Sequence, residues 1–97
     1  MPKRNGSGIA LLADPTRRGI IAALAVRPQQ PSRLAAQLGL SRPAIARQLR
    51  LLEAAELIWG HDVPGDRRAV WYTINPRRQG EITAWLAGTE VGLTQPE

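Results

Sequence analysis

The sequence contains no cysteine and no phenylalanine, and it has only one methionine and one histidine. Without cysteine the chain cannot form disulfides, thiolate metal sites or thiol redox sensors. A lone histidine does not make a metal site, because such a site takes three or four ligands. The sequence has no glycine-rich phosphate fingerprint and no paired carboxylates beside a nucleophile or base. We therefore predict neither an enzyme nor a protein with a bound metal or cofactor.

Long hydrophobic runs are also missing. No apolar stretch approaches the ~18 residues of a membrane span. The run from Ile9 to Ala13 is cut off by Asp14 and Pro15, so it is too short for the core of a secretory signal. We expect a cytoplasmic protein without a membrane partner. The length of 97 residues and the apolar fraction of 43% fit a single globular domain over residues 1–97.

Acidic residues are absent between Asp14 and Glu53, where the chain carries seven arginines. These are Arg17, Arg18, Arg27, Arg33, Arg42, Arg47 and Arg50. The whole chain has a net charge of +5, although the part after Ala69 is slightly acidic. A basic stretch of this kind is typical of a protein that binds a polyanion.

The basic stretch coincides with a pattern that predicts helix, tight turn, helix from Ser32 to Leu52. Ser32 is expected to cap the first helix. Gly39 fits the left-handed residue with which such a helix ends. Ser41 is expected to cap the second helix, where Pro43 is tolerated in the first turn.

The second predicted helix has one apolar face and one basic face. Ile45, Leu49 and Leu52 recur at helical spacing and predict its buried side. The opposite side carries small residues and arginines: Pro43, Ala46, Arg47 and Arg50. Small side chains permit close approach to the floor of a DNA major groove, and guanidinium groups bind guanine or phosphate. A helical hairpin with a solvated basic face is the alternative at this point.

A β-hairpin is predicted after the helix pair. Residues 57–59 and 69–75 have extended patterns, and Pro64, Gly65 and Asp66 form a turn signal between them. Arg67 and Arg68 then lie at or near the hairpin tip. Trp59 and Trp71 are expected to serve packing between the paired strands.

Three more helices are predicted, at residues 9–13, 15–26 and 76–87. Asp14-Pro15 and Asn75-Pro76 each combine a capping residue with a proline at the first helical position. The fold class is therefore mainly α with a small β-hairpin, in the order α-α-α-α-β-β-α. This is a winged helix-turn-helix, in which a basic hairpin tip lies beside the helix that enters the major groove.

In their order and spacing, these segments resemble the ArsR-type (ArsR/SmtB) bacterial transcriptional repressors. The resemblance covers roughly residues 11–86. It rests on motifs that include Ala13-Asp14-Pro15-Thr16-Arg17, Leu38-Gly39-Leu40-Ser41, Gln48-Leu49, Gly65-Asp66-Arg67 and Tyr72-Thr73-Ile74. The family implies a homodimer, joined through helices at about residues 8–13 and 76–88, that represses promoters by binding an inverted repeat. The residues implied for dimerisation are Ile9, Leu11, Leu12, Ile82, Trp85 and Leu86.

The sequence departs from the family pattern at several positions. Gln48 stands where the family often has histidine, and Glu56 where a glycine usually follows the recognition helix. A left-handed glutamate costs about 1 kcal/mol. Pro31 replaces a residue of a small strand, which is therefore expected to be weak or missing. The cysteine pairs of the metal-sensing members are absent, and the only histidine is His61.

For a DNA-binding winged helix we assign roles to ten residues. Those expected to face base edges are Arg42, Ala46, Arg47 and Gln48. Those expected to hold phosphates are Ser32, Arg33, Ser41 and Arg50, while Arg67 and Arg68 anchor the wing. In a dimer the two recognition helices lie about 34 Å apart, which predicts a palindromic operator.

Two questions stay open at the level of sequence. A winged helix can also be a protein–protein interaction module whose faces dock a partner protein. Binding to random duplex DNA that falls steeply with salt separates the two classes. The signal that relieves repression is also open, between a small molecule in the dimer interface, a partner protein, and autoregulation without an inducer.

Overall fold

The computed structural model describes the backbone of residues 8–94 and the side chains of residues 8–66 and 70–88. A 3-10 helix, Gly8–Ala13, precedes three α-helices, α1 (Pro15–Val26), α2 (Pro31–Leu38) and α3 (Arg42–Ala54). The hairpin strands β1 (Ile58–Val63) and β2 (Asp66–Ile74) follow, and a 3-10 turn, Pro76–Arg78, leads into α4 (Gln79–Thr94). This order confirms the predicted winged helix-turn-helix, with α4 extending beyond its predicted end at residue 87.

Three of the predicted helix caps are present: Asp14 and Ser41 at α-helices, and Asn75 at the 3-10 turn before α4. The Asp14 carboxylate accepts a hydrogen bond from the Arg17 backbone N–H at 3.1 Å. The Ser41 hydroxyl oxygen accepts one from the Ala44 N–H at 3.2 Å. Each cap satisfies an amide that has no partner within the first helical turn.

The predicted cap at Ser32 is wrong. Helix α2 begins one residue earlier, at Pro31, and Gln30 occupies the cap position without a side-chain capping bond. Proline favours the first helical position, because its φ is already helical and it has no N–H to leave unpaired. Ser32 therefore lies inside the first turn of α2.

Two left-handed residues end the helices of the helix-turn-helix. Gly39, with φ 67°, follows α2, and the Leu40 N–H returns to the Ala35 carbonyl at 2.9 Å. Glu56, with φ 61°, lies in the turn after α3, as its position in the family pattern predicted. The Leu57 N–H closes that turn on the Leu52 carbonyl at 3.0 Å.

The hydrophobic core lies between the three helices, the base of the hairpin and the first turns of α4. Its buried residues are Leu12, Ile20, Ile21, Leu24, Leu34, Ala35, Ile45, Leu49, Leu52, Leu57, Ile58 and Ile82. Within the described residues, no helix is long and apolar enough to cross a lipid bilayer.

The hairpin is antiparallel, and one residue of β2 pairs with the loop before α2. Its register runs from Ile58 opposite Ile74 to Asp62 opposite Val70. Gln29, in the loop before α2, forms an isolated bridge with Tyr72, with hydrogen bonds of 3.2 and 2.8 Å. The small strand predicted to be weak at Pro31 is thus reduced to one bridge.

Asn75 connects the C-terminal elements to the end of α3. Its side chain is buried, donates to the Glu56 carbonyl at 2.7 Å and accepts from the Arg77 N–H at 2.9 Å. Arg78 donates to the Ala55 carbonyl at 2.9 Å. The orientation of α4 is therefore fixed relative to α3.

Candidate nucleic-acid interface

Helix α3 presents the basic face that its sequence predicts. Ile45, Leu49 and Leu52 are buried in the core at 1%, 2% and 0% exposure. On the other side, Arg42, Pro43, Arg47 and Arg50 are exposed and Ala46 is half-buried. Three cations spaced along a solvent-facing helix with small residues between them suit a groove lined by phosphates and base edges.

A hollow of about 250 Å³ lies beside this face, near the start of α3. It is lined by Ser41, Pro43, Ala44, Arg47 and Gln48. Because the Ser41 oxygen accepts the capping bond, its hydroxyl hydrogen can be donated outward. Hydrogen-bond donors and the positive end of the helix dipole therefore meet in the hollow, a combination that favours acceptor groups.

The N-terminus of α2 provides a second set of predicted phosphate contacts. Ser32 and Arg33 are exposed in its first turn. Backbone amides of a first helical turn and a nearby guanidinium together attract an anion.

The sequence prediction places Gln48 at base edges with its side chain free, but in the structure that side chain is held by another residue. Gln48 is half-buried, and its Oε1 accepts a hydrogen bond from Nη1 of Arg17 at 3.0 Å. Nε of Arg17 also donates to the Leu11 carbonyl at 2.7 Å. Sequence reasoning gave Arg17 no role at the interface, since the contact joins residues 31 positions apart.

The predicted wing arginines lie at the start of β2, directly after the turn at Pro64 and Gly65. Gly65 has φ 84°, which glycine adopts without strain. The backbone of Arg67 and Arg68 thus lies near the hairpin tip, as predicted. Their side chains fall outside the described residues, and their DNA contacts stay a prediction.

The base of the wing packs closely against α3. A Cβ atom at Gly60 would lie 3.1 Å from the Tyr72 ring and 3.2 Å from a carboxylate oxygen of Glu53, so glycine permits this approach. The pKa of Tyr72 is raised, first by burial and then by the charge of Glu53, while Arg50 acts to lower it. One end of the recognition helix is therefore electrostatically coupled to the wing.

Trp59 and Trp71 lie outside the hydrophobic core, and their role in packing between the strands stays a prediction. They are 37% and 40% exposed. By the strand register they share the outer face of the hairpin with His61 and Thr73. His61 hydrogen-bonds to the Thr73 hydroxyl at 2.8 Å, and no cluster of possible metal ligands occurs among the described residues.

The residues predicted for dimerisation fall into two groups. Leu12 and Ile82 are buried at 0% and 2% within the chain itself, so they already pack its own core. The other four remain partly exposed beside that core: Ile9, Leu11, Trp85 and Leu86. These four provide apolar surface at the N-terminal 3-10 helix and on α4.

The helix-turn-helix segment matches a known family. Residues 14–58, from the cap of α1 to the first residue of β1, match the family model described as "Bacterial regulatory protein, arsR family". Residues 14–58, slightly less than half of the chain, are therefore similar to the ArsR-family helix-turn-helix. The predicted resemblance is thereby confirmed, and the matched family is one of regulatory proteins, as predicted.

Sequence similarity to a curated relative covers more residues than the matched segment. The chain is 42% identical over 65 residues to the HTH-type transcriptional regulator Rv2034 of Mycobacterium tuberculosis. The aligned part is 67% of this chain and 58% of the relative. The chain thus spans less than two thirds of that protein.

Solved structures share the fold over most of the chain. One is the homodimeric winged helix-turn-helix DNA-binding domain Mb0332 of Mycobacterium bovis, a possible ArsR-family regulator, with a TM-score of 0.80 at 15% identity over 96% of this chain and 85% of that one. Another is the ArsR-family transcriptional regulator RHA00566, with a TM-score of 0.71 at 26% identity over 96% of this chain and all of that one.

Proposed function

We propose that this protein is a homodimeric transcriptional repressor that binds a palindromic operator in double-stranded DNA. The observation that carries the proposal is the exposed face of α3, where Arg42, Arg47 and Arg50 project beside small residues. The family assignment of residues 14–58 supports the same function. No acidic residue interrupts the surrounding sequence between Asp14 and Glu53.

The interface residues divide by the group that each would contact. Arg47 and Arg42 are the candidates for base edges, because a guanidinium fork matches O6 and N7 of guanine. Exposed Arg33 and Arg50 would hold phosphates. Arg67 and Arg68 would anchor the wing at the neighbouring backbone or minor groove.

Dimerisation would place two recognition helices on one side of the duplex. The partly exposed residues Leu11, Trp85 and Leu86 offer apolar surface that a second copy would cover. The fold is shared with a domain described as homodimeric. With two-fold symmetry the half-sites would be about 34 Å apart, one turn of DNA.

The signal that releases the operator would not be a metal held by cysteine, because the chain has none. A small molecule in the dimer interface, a partner protein, or autoregulation without an inducer are the remaining routes. Each can be examined once an operator is known, by measuring its affinity in the presence of the candidate.

Selection of binding sites from random duplex DNA tests the proposal. We expect an enriched inverted repeat, one turn between half-site centres, that also occurs beside the gene for this protein. Binding to random duplex should weaken steeply as salt rises, because arginine–phosphate contacts release counterions. A selection that enriches nothing, with no binding at low salt, would contradict the proposal.

A second candidate function is a winged-helix module for protein assembly. The observation that favours it is the outer face of the hairpin, where Trp59 and Trp71 are about two-fifths exposed. For such a module, Trp59→Ser and Trp71→Ser would abolish its function, while binding to random duplex would be weak and insensitive to salt. Steep salt dependence excludes this alternative.

A further inference from the structure

One contact at the interface determines the chemistry that the recognition helix presents. Arg17 lies in the first turn of α1, and its Nη1 donates to Oε1 of Gln48 on α3 at 3.0 Å. The same guanidinium is fixed at its Nε by the Leu11 carbonyl, at 2.7 Å. A guanidinium held at two points restrains the side chain that it binds.

Arginine has five N–H donors and no acceptor. Only the oxygen of the Gln48 amide can face it, since an amide NH₂ would place donor against donor. The orientation of the amide therefore follows from chemistry, and the Gln48 Nε2 group is left to donate elsewhere. Gln48 lines the hollow at the start of α3 together with Arg47 and Ser41, which are donors as well.

We propose that Arg17 is a positioning residue that commits Gln48 to donating, so that the hollow at the start of α3 selects the acceptor edge of guanine. This inference rests on the proposed DNA-binding function. Guanine offers two acceptors in the major groove, N7 and O6, whereas adenine offers N7 as an acceptor and N6 as a donor.

Adenine is rejected because Arg17 occupies Oε1, the acceptor atom of the Gln48 amide. Glutamine reads adenine by donating from Nε2 to N7 while accepting at Oε1 from the N6 amine. In this protein Oε1 is bound to a cation on the protein side, so the amide cannot turn it toward the base without breaking that bond. Arg47, the other long side chain of the hollow, also has no acceptor to offer.

The first experiment varies the base pair in the selected operator. Wild-type protein is expected to prefer guanine over adenine by about tenfold at one position of each half-site. Replacing that guanine by 6-thioguanine, which keeps N7 but has a weakly accepting sulfur in place of O6, should remove most of the preference. This test needs no variant, so it does not depend on how well any variant folds.

The second experiment removes the positioning contact. Arg17→Met frees Oε1 of Gln48, and the ratio of guanine to adenine affinity should fall to less than about threefold. Arg17→Lys keeps a cationic donor and should restore part of the preference. The ratio is informative because losing one positive charge weakens binding to both duplexes alike.

Arg18→Met is the matched control. Arg18 is the next residue of α1, and its Nη1 donates to the Leu12 and Ala13 carbonyls at 2.9 Å. Its loss also loosens the N-terminal 3-10 helix, but it leaves the Arg17–Gln48 bond in place. We expect the guanine preference of this variant to match that of wild type.

The outcomes separate this inference from the proposed function. If wild type selects an operator but Arg17→Met keeps its guanine preference, or Arg18→Met loses it equally, the inference is wrong and the function stands. If a neutral methylphosphonate, rather than 6-thioguanine, abolishes the contribution of Gln48, then Gln48 holds a phosphate and the inference is also wrong. If no duplex binds, both fail.

Discussion

Among the described residues, Glu56 is the non-glycine residue whose backbone has a positive φ. Its φ of 61° lies in the left-handed region, where a Cβ atom crowds the backbone. We expect Glu56→Gly to raise the free energy of unfolding by about 1 kcal/mol, measured by urea denaturation. The bond from Asn75 to the Glu56 carbonyl does not involve the Glu56 side chain, so it should survive.

Glu53→Gly serves as the control for that substitution. Glu53 lies within α3, where glycine lowers stability by roughly 1 kcal/mol. If the free energy of unfolding rises in Glu56→Gly and falls in Glu53→Gly, the backbone conformation of Glu56 is the cause. A loss of stability in Glu56→Gly would show that this interpretation of Glu56 is wrong.

The raised pKa of Tyr72 predicts that folding stability changes at high pH. Burial, reinforced by Glu53, raises its pKa above the ordinary value of 10.0. Above pH 10 the unfolded chain loses this proton while the folded chain keeps it, so folding stability should fall as the pH rises from there toward the folded pKa. Tyr72→Phe should lack this contribution to the decline.

The titration of Tyr72 can be followed directly, because the chain has a single tyrosine. The ultraviolet absorbance of tyrosinate should appear at higher pH in the native protein than in urea. Equal midpoints in the two states would contradict the assigned burial and charge environment.

Among the secondary-structure elements, helix starts were the most predictable from sequence. Asp14 and Ser41 cap helices through their own side chains and backbone amides three residues away, and such local chemistry is visible in the sequence. The error at Ser32 has the same local origin, because the preference of Pro31 for the first helical position outweighed the capping preference of Ser32.

Contacts between elements were less predictable. The Arg17–Gln48 bond spans 31 positions, and neither residue belongs to a periodic pattern that would pair them. The exposure of Trp59 and Trp71 depends on which face of the hairpin meets α3, and alternation alone does not specify that face. The candidate interface was therefore predicted as a set of residues, without the contacts that orient them.

The recognition helix and the wing should contribute differently to DNA binding. Arg47→Ala is expected to cost about 1–3 kcal/mol of affinity for the selected operator and to relax its sequence preference. Arg68→Ala should weaken specific and random duplexes alike, because a backbone contact carries no sequence information. Affinities for one operator and one scrambled duplex measure both effects.

If Arg47→Ala and Arg68→Ala bind both duplexes as wild type does, the residue roles are wrong. If Arg68→Ala alone alters sequence preference, the wing reads bases instead of anchoring to the backbone.

For the molecule as a whole, we predict a dimer interface formed by the N-terminal 3-10 helix and α4. Leu86 is half-buried on α4 beside the core, so Leu86→Glu should place an unpaired carboxylate in the predicted interface. Sedimentation is expected to show monomers and greatly weakened operator binding. Circular dichroism distinguishes this result from unfolding.

Ala84→Glu is the matched control on the same helix. Ala84 is exposed and lies about 200° around α4 from Ile82, which faces the core. We expect this variant to remain a dimer. If Ala84→Glu dissociates the dimer while Leu86→Glu does not, the partner covers the opposite side of α4.

The single bridge between Gln29 and Tyr72 has a consequence for deuterium exchange. Both backbone groups of Tyr72 turn toward Gln29 and away from β1, and the Val70 amide, two residues earlier, turns the same way. The Val70 amide hydrogen should exchange rapidly in heavy water. The Tyr72 amide should keep its hydrogen until the hairpin separates from the helices. Its exchange rate would therefore report how often the wing detaches, in the native protein and without any attached label.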